Sequence, residues 1–267
     1  MILAIYNGKG GTGKTTTAVN LAAVYAESRN VLLIDLDAQY SATSFFLQDN
    51  EPPVHSIYDV LLDDLALEAA AVEVKPGLNI VASDPRMESA ARQLPDLPAG
   101  ELRLMRALRH ATASKFFDIC ILDCPSRYDY ISRNALLATT GLVIPINSER
   151  MAFECAVDVV NRSEQLSEAF GREAVDFRVA LTAFRASLNN DQNIEAAAFA
   201  TWPKQLLKTR IRHTAKIKDL AGAWKTVTDK GPAGSFGTAR EDYQALAKEV
   251  AKIWLKPLKH PATQARR

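Results

Sequence analysis

Nine residues near the start of the chain have the types and spacing that bind phosphate. The stretch Gly8 to Thr16 reads Gly-Lys-Gly-Gly-Thr-Gly-Lys-Thr-Thr and fits the pattern G-x-x-x-x-G-K-[ST]. Glycines let the backbone turn tightly so that its N–H groups point at phosphate oxygens, and a following helix adds its positive N-terminal end. The predicted phosphate-binding residues are Lys9, Gly10, Gly11, Thr12, Gly13, Lys14, Thr15 and Thr16.

Two side chains at the end of this loop would act on the phosphates themselves. Lys14 is placed to reach the β and γ phosphates of a nucleoside triphosphate, and the Thr15 hydroxyl is placed to ligate a bridging Mg2+ ion. A chance glycine turn would match the pattern in roughly one chain of this length per hundred. An apolar run before the loop and a helical pattern after it favour the nucleotide site.

Aspartates follow two of the other apolar runs. Asp35 and Asp37 come directly after the second run, and Asp123 ends a later one. A carboxylate at the carboxyl end of a parallel strand faces the ligand crevice of an open sheet. Asp35 could hold the Mg2+ shell, and Asp37 could orient or deprotonate the attacking water. The alternative is that the first two aspartates cap the next helix and that Asp123 forms a turn.

The elements that must position these residues are apolar runs alternating with helical patterns. Strands of a parallel sheet covered on both faces are predicted where successive residues are apolar, at 2–6, 31–34, 78–82, 119–122, 142–146 and 177–181. Helical spacing occurs at 14–28, 102–113, 127–139 and 152–169. The fold class is therefore α/β, a doubly wound, mostly parallel sheet flanked by helices. A last strand is predicted at 206–211 and a terminal helix at 238–255.

Length and composition bound the organisation of the chain. It has 267 residues, 48% of them hydrophobic and 24% charged, with a formal net charge of +1, as in ordinary globular proteins. Because no glycine/serine linker, repeat or charge block divides it, we predict a single domain over 1–267 with a short basic tail from about 257. Near-neutral charge means that any nucleic-acid surface is local.

The string Lys9 to Thr16 resembles the deviant Walker A box of the ParA/MinD ATPases, whose early lysine corresponds to Lys9. The segment beginning Asp35-Leu36-Asp37 resembles the family's D-x-D-P-Q switch, with Ala38 where proline is usual. The segment ending at Pro125 resembles the Walker B aspartate and second switch, although the family's second proline is replaced here by Ser126.

This resemblance implies a P-loop ATPase, similar to small ParA/Soj-like proteins, that uses ATP and Mg2+. It implies catalytic roles for Lys9, Lys14 and Asp37, and metal roles for Thr15, Asp35 and Asp123, the last through water. Lys9 would cross the interface of an ATP-bound homodimer that binds double-stranded DNA nonspecifically. A ParB-like or other adaptor protein would stimulate slow hydrolysis, and the pair would move a plasmid, chromosome or protein complex.

Positive charge concentrates in a segment of fifteen residues near the C-terminal end. The DNA-contacting candidates, which we call the basic segment, are Lys204, Lys208, Arg210, Arg212 and Lys216. A solvated face with compensating acids is the alternative for any one of them.

Location is predicted as cytoplasmic and nucleoid-associated. Three cysteines without metal spacing indicate a reducing compartment, and no signal peptide or bilayer-spanning run is evident. The alternative function is a MinD-like membrane-surface positioning ATPase, because apolar residues alternate with lysines at 250–259. Stable membrane insertion is not expected. A pure scaffold with a vestigial phosphate loop is a further alternative, which the presence of both loop lysines and of Thr15, Asp37 and Asp123 disfavours.

Overall fold

The structure is a computed structural model that describes residues 1–47, 53–229 and 237–255. Its strands are β1 (Ile2–Ile5), β2 (Val31–Asp35), β3 (Ala71–Lys75), β4 (Leu78–Val81), β5 (Ile119–Asp123), β6 (Gly141–Ile146), β7 (Phe177–Phe184) and β8 (Leu206–Arg212). Within those ranges they form one sheet in the order β3-β4-β2-β5-β1-β6-β7-β8. All neighbours are parallel except β3 and β4.

Helices cover both faces of this sheet. They are α1 (Lys14–Ala26), α2 (Ser41–Leu47), α3 (Ile57–Leu62), α4 (Leu67–Ala70), α5 (Met87–Gln93), α6 (Arg103–Ala113), α7 (Tyr130–Ala138), α8 (Arg150–Ala169), α9 (Asn189–Thr201), α10 (Ala215–Gly222) and α11 (Gly237–Trp254). Successive residues of β1 pack into the hydrophobic cores on opposite faces of the sheet. Ala4 packs with α6, α7 and α8, whereas Leu3 and Ile5 pack with α1 and α11. Burial on both faces explains why the strands are apolar on successive residues.

The predicted fold class is confirmed, and so are the predicted strands within a few residues. The antiparallel edge strand β3 was not predicted, because its sequence Ala-Val-Glu-Val-Lys is short and only half-buried. Helix α7 begins at Tyr130 rather than at 127, because the Asp129 carboxylate accepts hydrogen bonds from the N–H groups of Ile131 and Ser132 and caps the helix there. The single-domain assignment stays a prediction, and the tail from 257 lies outside the described residues.

Candidate functional site

The predicted site residues meet at one edge of the sheet. Strands β2, β5 and β1 are consecutive parallel neighbours, and their register pairs Asp123 with both Ile5 and Asp35. Because parallel strands end at the same edge, the loops that follow these three strands converge there. The structure thus brings the phosphate loop, the Asp35–Asp37 segment and the segment after Asp123 into one crevice.

The backbone of the phosphate loop depends on two of its glycines. Gly11 and Gly13 have φ angles of 77° and 85°, in the left-handed region that side chains disfavour. Gly13 is also the N-cap of α1, so the N-cap offers the first-turn N–H groups no side-chain acceptor. This arrangement leaves the positive end of α1 facing the loop, as an anion site requires.

Side chains from neighbouring strands hold the loop in place. The Asn7 amide donates to the carbonyls of Pro145 (2.8 Å) and Ala152 (3.1 Å), and its oxygen accepts the N–H of Lys9 (2.9 Å). The Thr182 hydroxyl donates to the carbonyl of Thr12 at 2.8 Å. Elements more than a hundred residues away in the chain therefore fix the loop before any ligand arrives.

The ammonium group of Lys14 lies inside the loop. Its Nζ donates to the carbonyl of Lys9 at 3.1 Å and to the Ser126 hydroxyl at 2.8 Å, and the side chain is buried. Burial lowers the pKa of Lys14, whereas the charges of Asp123 and Asp37 raise it. No carboxylate of the described residues forms an ion pair with this ammonium, and a phosphate would supply such a partner.

The neighbouring carboxylates Asp35 and Asp123 differ in their partners. Asp35 accepts hydrogen bonds from the Thr43 N–H (2.8 Å), the Thr43 hydroxyl (2.9 Å) and the Asp37 N–H (3.1 Å). Neither oxygen of Asp123 accepts a hydrogen bond of normal geometry within the described residues, although both are buried. Burial, and next the charge of Asp35, raise the pKa of Asp123 well above its usual value, while the nearby Thr15 hydroxyl lowers it.

These partners decide which aspartate fits a metal ion. The oxygens of Asp35 are engaged with Thr43 and with the backbone, whereas the orphaned oxygens of Asp123 face the side of Thr15. Hard oxygen ligands of this kind suit Mg2+. No group of three or more histidine, cysteine or acidic side chains within the described ranges could hold a metal by itself. An ion here would therefore complete its shell with phosphate and water oxygens.

Replacing Asp123 by asparagine is expected to stabilise the protein in the absence of nucleotide and metal. The pKa of Asp123 is raised on folding, so the folded state binds more protons, and its stability falls as the pH rises from about 4 towards the folded pKa. At pH 8, burying the ionised carboxylate costs roughly 2 kcal/mol of folding free energy, so we expect the thermal midpoint of Asp123→Asn to exceed that of the wild type by about 5 °C. Near pH 4 the two thermal midpoints should converge. An unchanged difference across this range would contradict the prediction; Asp63→Asn is the exposed control.

Asp37 borders a cavity beside the phosphate loop. Its Oδ1 accepts the N–H of Gln39 at 3.0 Å, which orders the segment even though Ala38 replaces the proline usual in the family. The cavity measures about 220 Å³ and is also lined by Ser126 and Arg127. A water molecule in this cavity would lie beside the Asp37 carboxylate.

Lys9 is bound within its own chain. Its Nζ lies 2.7 Å from Glu149 Oε2 and donates to the carbonyl of Gly10 at 3.3 Å. The Glu149 side chain is largely exposed, and the ion pair lowers its pKa. Exposed ion pairs contribute little stability because water screens them. Lys9 can therefore exchange Glu149 for another anionic partner at a small cost in free energy.

A second cavity flanks the loop on its other side. It measures about 210 Å³ and lies between Gly11–Gly13 of the phosphate loop, Thr182 and the segment from Ile211 to Thr214. Tyr243 from α11 also contributes to its lining. The crevice therefore continues past the phosphate loop into a pocket of suitable size for a flat ring.

The structure divides the basic segment. Arg210 forms an ion pair with Glu195, and Arg212 pairs with Asp242 at 2.6 Å. For the exposed Lys204 and Lys208, no side-chain ion pair occurs in the part of the chain that the structure describes. Lys204 precedes β8 and Lys216 follows it, so they belong to opposite ends of a strand about 20 Å long. The five residues therefore do not form one compact patch.

Several contacting residues were missed by sequence reasoning. Asn7, Glu149 and Ser126 reach the loop only because strands β1, β5 and β6 are adjacent. The replacement of the family's second proline by Ser126 was the one available signal.

No helix in the described ranges is long and apolar enough to cross a membrane.

The central β1, the glycine loop after it and the lysine that enters the loop define a P-loop nucleotide-binding protein of the α/β class. Residues 1–175 match the family model described as the AAA domain. The sporulation initiation inhibitor protein Soj of Bacillus subtilis is 30% identical over 255 residues, which is 94% of this chain and 98% of the relative. The chain belongs to the ParA/MinD family of partition-type ATPases.

Solved structures share the fold over nearly the whole chain. The apo form of McdA from Cyanothece superposes with a TM-score of 0.83 at 21% identity, covering 93% of this chain and 98% of that one. Cobyrinic acid a,c-diamide synthase from Mycobacterium smegmatis, with bound ADP and magnesium, has a TM-score of 0.79 at 22% identity, covering 95% and 94%. At these identities the likeness establishes the fold.

Proposed function

We propose that the chain is a Mg2+-dependent ATPase whose ATP-bound homodimer binds double-stranded DNA without sequence preference and thereby segregates or positions a cargo. The observation that supports the nucleotide site most directly is that the Lys14 ammonium and the Asp123 carboxylate are both buried beside the glycine loop and that neither forms an ion pair within the described residues. A magnesium–triphosphate complex would bring a phosphate into contact with Lys14 and a cation into contact with Asp123.

The residues of this chain divide the work on ATP. The loop N–H groups and Lys14 bind the phosphates. Thr15 and Asp123 would hold Mg2+, and Asp35 would support the coordination shell of the ion without binding it directly. When bound, the metal neutralises charge on the phosphates. Asp37 orients the attacking water and accepts its proton. The adenine ring would occupy the cavity between Gly11–Gly13 and Ile211–Thr214.

Dimerisation would use Lys9. In the single chain its ammonium contacts the exposed Glu149, a weak pairing. A triphosphate in a second subunit offers a stronger, charge-assisted partner. ATP would therefore join two subunits face to face, and hydrolysis would remove the γ phosphate and separate them. An adaptor protein of the ParB kind would accelerate this slow step, in the cytoplasm and on the nucleoid.

DNA binding is expected to depend on the lysines of the basic segment more directly than on its arginines. Arg210 and Arg212 are already paired with acids, whereas Lys204 and Lys208 point into solvent. We expect Lys204→Ala/Lys208→Ala to weaken binding of random duplex DNA about ten-fold and to reduce the salt slope by about 2. Arg109→Ala/Lys115→Ala, on α6 and in the turn after it, removes the same charge elsewhere and should change neither quantity. Equal losses in both pairs would indicate a bulk-charge effect.

The decisive experiment is a gel shift of random-sequence duplex DNA with ATP, with ADP and without nucleotide, at a stated salt concentration. A shift that requires ATP and is lost in Lys9→Ala and Lys14→Ala supports the proposal. Confirmed ATP binding without any DNA shift, together with ATP-dependent binding to anionic liposomes, would replace it with a membrane-surface positioning ATPase. ATP binding without turnover would indicate a scaffold.

A further inference from the structure

Ser126 departs from the family pattern at a position that touches the nucleotide loop. It lies in the segment after β5, three residues beyond Asp123, where relatives usually carry a second proline. Its Oγ accepts a hydrogen bond from Lys14 Nζ at 2.8 Å. A proline has no hydroxyl and could not make this contact. The substitution therefore adds a polar group to the loop that the resemblance does not account for.

The hydroxyl proton of Ser126 is available to donate a hydrogen bond. An ammonium group can only donate, so Ser126 Oγ is the acceptor in its bond with Lys14, and its own O–H remains available as a donor. Within the described residues, that proton donates no hydrogen bond. Ser126 is half-buried and borders the cavity that also contains Asp37. A half-buried donor at the wall of a cavity suits an incoming acceptor.

The position of Ser126 points that donor at the phosphate loop. A Cβ atom placed on Gly10 would lie 3.9 Å from Ser126 Oγ, and one placed on Gly8 would lie 3.9 Å from the Ser126 carbonyl oxygen. The segment after β5 therefore packs against the loop at Gly8 and Gly10. A phosphate oxygen bound to Lys14 would therefore lie near the serine hydroxyl, which contacts the same ammonium.

We infer that Ser126 is a further phosphate-contacting residue, whose hydroxyl donates a hydrogen bond to the terminal phosphoryl group of ATP. This inference rests on the proposed function, because it takes the ligand to be a nucleoside triphosphate. The contact involves the γ phosphate, which ADP lacks. Ser126 therefore helps the protein to distinguish ATP from ADP, which is the distinction on which a nucleotide switch depends.

The test compares the dissociation constants for ADP and for a non-hydrolysable ATP analogue, both with Mg2+, by calorimetry at concentrations where the protein is a monomer. Both ligands start from the same free protein, so the ratio of the two constants cancels any effect of Ser126 on Lys14 in the unliganded state. We expect Ser126→Ala and Ser126→Gly to reduce the preference for the ATP analogue about ten-fold. Ser126→Thr, which keeps the hydroxyl, should retain most of it.

The outcomes separate the inference from the proposal on which it rests. If the wild type binds both nucleotides and the ratio is unchanged in Ser126→Ala and Ser126→Gly, Ser126 only supports Lys14 and the inference is wrong. If the wild type binds neither nucleotide, the proposed function fails instead. Ser28→Ala, at an exposed serine beyond α1, is the matched control and should leave the ratio unchanged.

Discussion

Replacing Asp37 by asparagine is expected to slow ATP hydrolysis about a thousand-fold while changing ATP affinity less than about three-fold. Asparagine keeps the oxygen that accepts the N–H of Gln39, so the segment retains its backbone conformation. It loses the ability to accept a proton from water. Because a carboxylate near phosphates repels them, ATP affinity should stay constant or rise slightly.

The measurement is single-turnover hydrolysis at saturating ATP together with equilibrium binding of ATP. Asp63→Asn, at an exposed aspartate after α3, is the control for loss of one negative charge. Turnover within ten-fold of the wild type in Asp37→Asn would assign the water-activating role to another group. A parallel loss of affinity would indicate that Asp37 acts on binding instead.

Replacing Lys14 by alanine is expected to reduce ATP affinity and turnover by at least about a hundred-fold each. Lys14 is the cation inside the loop, and its two present partners, the Lys9 carbonyl and the Ser126 hydroxyl, are neutral. Its loss removes the main charge that balances the triphosphate. Since burial already disfavours the ammonium, Lys14→Ala should not lower the thermal midpoint of the nucleotide-free protein.

Lys9→Ala is the variant that distinguishes the role of Lys9 from that of Lys14. Lys9 pairs with the exposed Glu149 at the outer side of the loop, so a single chain lacking it should still bind ATP. We expect Lys9→Ala to lose the ATP-dependent dimer in analytical ultracentrifugation while keeping ATP affinity within about three-fold. Loss of ATP binding in Lys9→Ala alone, with Lys14→Ala still binding, would reverse the proposed roles.

The sequence determined the phosphate loop and most of the sheet, because both are encoded by residues close together in the chain. The glycines and Lys14 act within nine residues, and each buried strand is a short apolar run. Asp35 and Asp123 could be placed at the same edge because each follows such a run. The edge strand β3 escaped prediction since it is half-buried and pairs antiparallel.

Only the tertiary structure decided which of the polar and charged side chains already have hydrogen-bond or ion-pair partners. Thr43 donates hydrogen bonds to Asp35, whereas Asp123 accepts none from the residues that the structure describes. Ser126 contacts Lys14 across 112 residues of chain. The basic segment, compact in sequence, is divided by the length of β8 and by internal ion pairs of its arginines. The physical reason is that hydrogen bonds and ion pairs depend on distances between strands, which follow from the order of the sheet and not from spacing along the chain.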